Sequence, residues 1–188
     1  YGIFERFFTQ TYALFESKYP VQKLIKLSLE STDNRISIGK PVIPSFLFAI
    51  LLWFPFIHQK SMLEKQKSTE IEPINALEKS MSHVLKIQSE RIGISKRHAQ
   101  VIREIWLFQY RLQKRSSRRA EELLRHPRFR AAYDFLALRA VAGDESMELA
   151  DWWTRFQDAS LKVRQKMIAE PRKNMPQNKS RKNTKKKK

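Results

Sequence analysis

Residues 45–57 read SFLFAILLWFPFI, the most apolar stretch of the chain. A run of this kind must leave water, because each large apolar side chain gains roughly 1.5–3 kcal/mol on burial. Thirteen residues fall short of the roughly 20 that a bilayer-spanning helix requires, and Pro55 interrupts the run. A buried central helix opened by Pro44 is therefore expected rather than a membrane span. The rest of the chain must then supply a coat for it. Hydrophobic residues make up 41% of the 188 positions, enough for one packed domain and a small extra piece. With only 4 glycines and no recurrent turn dipeptides, a hairpin-rich β coat is excluded, leaving helices.

The flanking patterns agree with that choice. Ile3, Phe4, Phe7, Phe8 and Phe15 fall near helical spacing, and Pro20 stands where a first-turn proline belongs, before Val21, Leu24, Ile25 and Leu29. Residues 31–40 (STDNRISIGK) read as a polar turn, and residues 60–72 as a loop or frayed helix. Ile74, Leu77, Met81, Val84, Leu85 and Ile92 mark a one-faced helix ended by Gly93. Ser95 can cap the next helix, whose stripe is Val101, Ile105, Phe108 and Leu112. After a break at Ser116–Ser117 comes a short helix. Another starts at Pro127, carries Phe129, Ala132, Tyr133, Leu136 and Ala140, and ends at Gly143-Asp144. Leu149, Trp152, Trp153 and Phe156 mark the last amphipathic helix, with both tryptophans assigned to the core. An all-α fold of seven or eight helices follows, with residues 161–188 expected as a disordered Lys-rich tail.

Charge is unevenly distributed. The formal net charge is +18, yet residues 91–130 hold +9 and residues 162–188 hold +11, leaving the remainder slightly acidic. Solubility alone gives no reason to concentrate charge in this way, whereas binding a polyanion does. Residues 111–130 (RLQKRSSRRAEELLRHPRFR) contain Arg111, Lys114, Arg115, Arg118, Arg119, Arg125, Arg128 and Arg130. Arginine dominates, and its planar fork matches phosphate oxygens in pairs. Arg97, Arg111 and Arg118 repeat at multiples of seven and would share one edge of a continuous helix, with Glu104 interrupting. The alternative for this segment is a solvated basic face. Of the interleaved aromatics Trp106, Phe108 and Tyr110, Phe108 belongs to the apolar stripe and Tyr110 is the candidate for stacking on a base. In the tail, Arg181, Lys182, Lys185, Lys186, Lys187 and Lys188 would attract phosphates diffusely; anionic lipid is the second choice of partner.

Catalytic signatures are missing. There is no glycine-rich phosphate loop, no HExxH and no carboxylate pair beside a nucleophile. No catalytic residue and no metal ligand is assigned. Asp33 and Asp144 read as helix caps, and Asp151 and Asp158 as solvent-facing helix positions. His58, His83, His98 and His126 are scattered, and cysteine is absent, which suits a reducing compartment and leads to the expectation of an intracellular, cytoplasmic protein.

Residues 126–140 (HPRFRAAYDFLALRA) and 149–157 (LADWWTRFQ) resemble the C-terminal region of the bacterial poly(A) polymerase I family. Residues 105–112 (IWLFQYRL), 44–55 (PSFLFAILLWFP), 33–36 (DNRI) and 1–8 (YGIFERFF) fit the same family in the same order. The resemblance covers residues 1 to about 160. It implies a class II nucleotidyltransferase, related to CCA-adding tRNA enzymes, that adds AMP from ATP to RNA 3′ ends using Mg²⁺. In that family a head domain carries a Gly-Ser turn and an Asp-x-Asp pair, and neither is present here. With Tyr1 opening directly into a helical pattern, the chain reads as a C-terminal piece beginning near the end of the neck.

The resemblance divides the chain into residues 1–40 as end of neck, 41–160 as the arginine-rich helical domain, and 161–188 as tail. It implies RNA 3′ ends and an upstream catalytic head as partners, with no cofactor held by these residues themselves. The rival readings are a free-standing helical RNA-binding or chaperone protein, and part of a CCA-adding enzyme.

Overall fold

The apolar run folds as two helices rather than one. In the computed structural model, which describes residues 2–65, 73–115 and 117–169, the run divides into α4 (Pro44–Leu51) and α5 (Trp53–Lys65), bent by 44° at Leu52. The expectation that Pro55 breaks the run is corrected by three residues. Pro55 lies in the first turn of α5, where a missing N–H costs no intrahelical bond. Leu51, whose carbonyl lies four residues before Pro55, instead accepts the Thr11 hydroxyl at 2.8 Å. Thr11 is fully buried. Thr11→Val keeps the shape and removes the donor, so it is expected to destabilise the fold by about 1–3 kcal/mol, read by urea unfolding.

Preceding the run are α1 (Gly2–Phe7), α2 (Thr9–Tyr12) and α3 (Val21–Ser37). Following it are α6 (Pro73–Ile92), α7 (Lys96–Leu112), α8 (Ser117–Leu124), α9 (Phe129–Ala142), α10 (Met147–Asp158) and α11 (Leu161–Ala169). The fold is all-α. Eleven helical elements among the described residues exceed the seven or eight expected, because bends split two stretches and α11 extends the ordered chain. Residues 31–37, expected as a turn, continue α3; buried Thr32 bonds the Ser28 carbonyl inside the helix and anchors it. Asp33 therefore lies in mid-helix and is exposed, not a cap. Residues 60–65 likewise belong to α5. Ser95 caps α7 as expected, its hydroxyl accepting from the His98 N–H.

Helix α11 corrects the expected start of the tail. Arg164 donates through Nε to the Phe156 carbonyl and through a terminal nitrogen to the Gln157 carbonyl, both at 2.8 Å. It thereby satisfies carbonyls in the last turn of α10, which have no intrahelical partner of their own. Glu121 on α8 stands 3.6 Å from the same guanidinium, so one side chain ties three helices. The tail residues Arg181, Lys182 and Lys185, Lys186, Lys187 and Lys188 lie outside the described residues.

Two apolar clusters form the core. In the first, α4 and α5 are wrapped by α3, α6 and α7, with Phe56 stacked on Trp106 at 4.7 Å and Trp53 edge-on to Phe135. The indole of Trp106 donates to the Ala49 carbonyl, pinning α7 to α4. The second unites the end of α7 with α8, α9 and α10 around Phe108, Leu112, Trp152, Trp153 and Phe156. Trp152 and Trp153 are core residues, as expected. No single helix among the described residues is long and apolar enough to cross a membrane; the bent pair α4–α5 passes only by length and composition, and residues 52–56 are all buried in the protein.

Where α9 ends, Gly143 adopts a left-handed conformation (φ 91°) that glycine enters without steric cost. The Asp144 N–H then bonds back to the Arg139 carbonyl, which brings the Asp144 carboxylate onto the Arg139 side chain. Arg139 is 6% exposed and binds Asp144 at 2.6 Å, Glu145 at 3.4 Å and the Gln109 side-chain oxygen at 3.1 Å. Its guanidinium lies 4.3 Å from the Trp53 ring centre, and the Trp53 indole also donates to Asp144. Asp144 thus holds a buried cation and an indole rather than capping a helix.

Candidate nucleic-acid interface

Helix α7 stops at Leu112 because the chain must turn there to bury both Leu112 and, on α8, Ala120 and Leu123. The Leu112 carbonyl left at the helix end accepts the Trp153 indole at 2.9 Å. That reversal brings the last turn of α7 and the face of α8 to one groove of about 920 Å³, shared with α5 and α6. Tyr110, Arg111, Lys114, Arg119, Lys60 and His126 line it, with Leu77 and Leu123 as apolar walls. Four of the residues singled out in the sequence thus converge. Glu122 is the acidic member of the lining.

The cations of the groove differ in how they are engaged. Among the described residues, no carboxylate pairs with Arg111, Lys114 or Arg119, all three of which are exposed. Arg111 lies over the Phe108 ring, 5.6 Å from its centre, and is exposed. Lys60 pairs with Glu64 at 2.6 Å and sits 5.8 Å from the centre of the Tyr110 ring. Cations at the end of α7 are also favoured by the helix dipole. Tyr110 is half-buried, edge-on to Phe56, and burial pushes its phenol up to about 12, so its hydroxyl is protonated at neutral pH.

Other arginines of the basic run are held elsewhere. Arg115 pairs with Glu148 at 2.9 Å, its side chain only 13% exposed, and packs over Trp152. Arg128 pairs with Glu104 at 2.7 Å, and Arg130 with Asp134. Arg97 and Arg125 are exposed. The seven-residue edge is corrected: Arg97 and Arg111 share α7, but Arg118 belongs to α8 across the reversal, and its side chain lies outside the described residues. The residue that sequence reasoning missed is Arg139. Its spacing from Asp144 and Glu145 was visible, but its burial was not.

The hydrogen bond from Arg128, opposed by partial burial, holds Glu104 below the usual carboxylate range; Gln100 and the His126 ring add to the lowering. A depressed acid stabilises the fold above its unfolded pKa and loses that contribution as pH falls through the folded one. Glu104→Gln is therefore expected to cost less than about 1 kcal/mol at neutral pH, since both partners are about one-third exposed. The difference from the wild type should vanish in acid below the ordinary carboxylate range, read as urea midpoints across pH.

Among the described residues, no three His, Asp or Glu side chains converge to hold a metal ion. The groove offers cations, a phenol and apolar walls, which suits binding an anionic chain.

Comparison with known proteins decides the family. Residues 69–188 match the model of the polymerase A arginine-rich C-terminus. The chain belongs to that family. Among curated relatives of this arginine-rich C-terminus, poly(A) polymerase I of Haemophilus influenzae is 34% identical over 173 residues, covering 90% of this chain and 38% of that protein. Poly(A) polymerase I of Escherichia coli O6:H1 is 37% identical over 140 residues, 73% of this chain and 30% of its own length. That of Salmonella typhi is 34% identical over 152 residues, with 80% and 32% covered. The arginine-rich chain therefore spans about a third of the length of these relatives, and its likeness is to the C-terminal region of bacterial poly(A) polymerase I.

Proposed function

We propose that this chain is the RNA-holding portion of an RNA-adenylating enzyme. It grips the RNA 3′ region by its phosphates while a catalytic head, which would hold ATP and Mg²⁺, extends the end. The observation that carries this reading is the convergence on one groove of Arg111, Lys114 and Arg119, which pair with no carboxylate among the described residues. Phosphate contacts fix a strand without reading its sequence, which suits an enzyme that must accept many 3′ ends. In this reading Arg97, Arg125 and the tail cations add diffuse attraction, whereas Arg115 and Arg128 serve the fold through their carboxylates. Tyr110, half-buried and 5.8 Å from the Lys60 ammonium, is the candidate for stacking on a base in this reading.

Two measurements test the proposal. Fluorescence anisotropy with mixed-sequence and A-rich RNA of equal length should give saturable binding that weakens with salt and differs little between the two. Absence of binding at low salt would sink the reading. In a primer-extension assay with ATP and Mg²⁺, the isolated chain should add no AMP, because it carries no Asp-x-Asp pair. Tailing by the pure chain would show that a catalytic centre lies within these residues.

A further inference from the structure

A second groove lies apart from the first and shares none of its lining. It runs between the end of α3, the connection into α4, and the outer face of α9, with a volume of about 570 Å³. Its most exposed apolar walls are aliphatic. Ile38 is 56% exposed, Ile43 53% and Val141 48%. Such a cluster is not explained by the core, because these side chains face solvent while Ile105 at the groove floor is buried and Phe46 and Leu138 are half-buried against the core. Four cations line the groove, Arg35, Lys40, Arg128 and Arg130, against one carboxylate, Asp134.

We propose that this groove docks an acidic amphipathic helix of a partner protein, with its apolar face on Ile38, Ile43 and Val141 and its carboxylates toward Arg35 and Lys40. An aliphatic trough edged by charge is the pattern by which grooves take helices through anchors at i, i+3, i+4 and i+7. Charge complementarity selects an acidic occupant. A second copy of this basic chain would bring like charge to the rim. RNA fits less well for two reasons: the one aromatic ring in the lining, Phe46, is half-buried and packed against the core, and Arg128 and Arg130 are already paired with Glu104 and Asp134. Lys40 has no ion-pair partner among the described residues, and Arg35 donates to the Pro41 carbonyl at 3.3 Å and acts on Asp134 only through longer-range attraction, with no ion pair between them among the described residues.

The test uses the full chain and a fluorescein-labelled synthetic helix of about five turns, with leucine at i, i+3, i+4 and i+7 and glutamate on the other face. Its scrambled isomer and a lysine-for-glutamate version are the comparison peptides. Saturable anisotropy is expected for the acidic patterned peptide alone. Ile38→Asp and Val141→Asp, both at exposed positions, should each weaken it at least about tenfold while leaving the urea midpoint in place. Arg111→Ala should leave peptide affinity unchanged, which separates this site from the RNA groove. The proposal is overturned if the patterned peptide shows no saturation up to about 100 μM, if the scrambled isomer binds equally, or if Ile38→Asp binds like the wild type. Displacement of the peptide by single-stranded RNA in the Arg111→Ala background would instead make this groove a nucleic-acid surface.

Discussion

Arg139→Ala should destabilise the protein by about 3–5 kcal/mol, the cost of removing one partner from a buried ion pair. The loss is not that of one contact. Among the described residues Asp144 would keep the Trp53 indole as its donor, Glu145 would lose a cation, and the Gln109 oxygen would lose a donor. The cavity left against Trp53 and Phe135 adds to the penalty. Because the residue lies where α5, α7 and α9 meet, the change should appear in the global urea transition rather than as local fraying. The double variant Arg139→Met with Asp144→Asn removes both charges and keeps the volume, so it should recover part of the loss. If Arg139→Ala unfolds at the wild-type midpoint, the network is peripheral to stability.

The largest expected effect on binding comes from Arg111→Ala, Lys114→Ala and Arg119→Ala combined. Each neutralised phosphate on a single strand contributes about −0.7 to the slope of log affinity against log salt, so losing three contacts should flatten that slope by roughly 2. Affinity for A-rich and mixed RNA should fall together, since the missing contacts carry no sequence information. The fold should stand, because all three side chains are exposed. Arg115→Ala is the counterpart: the salt slope should stay near the wild-type value while stability falls, since its partner is Glu148 and its plane covers Trp152. A salt titration of the three proteins separates the outcomes. A triple variant with the wild-type slope would make the groove cations a solvated face.

Helical identity was legible from local pattern wherever one face is apolar. Phe108 and Leu112 on α7, and Trp152, Trp153 and Phe156 on α10, repeat at helical spacing and are buried together. Caps were legible for the same reason, since Ser95 and Gly143 act within four residues of their own position. Helix ends were less so. The continuation of α3 through residues 31–37 depends on the burial of Thr32, and α11 depends on carbonyls and a carboxylate that meet Arg164 only in three dimensions.

The sequence by itself determined that this chain is helical, that residues 44–57 lie at its centre, and that its positive charge gathers in two segments. Those properties follow from periodicity and composition, which are local. Only the tertiary structure decided which cations remain available. Arg115 and Arg119 stand four residues apart in one basic run, yet Arg115 meets Glu148, 33 positions away, and Arg119 faces an open groove with no paired carboxylate among the described residues. Arg128 is likewise held by Glu104 across 24 positions. A charge seen in sequence becomes a binding group only when the fold leaves it without a counter-ion, and long-range packing, not the order of residues, makes that choice.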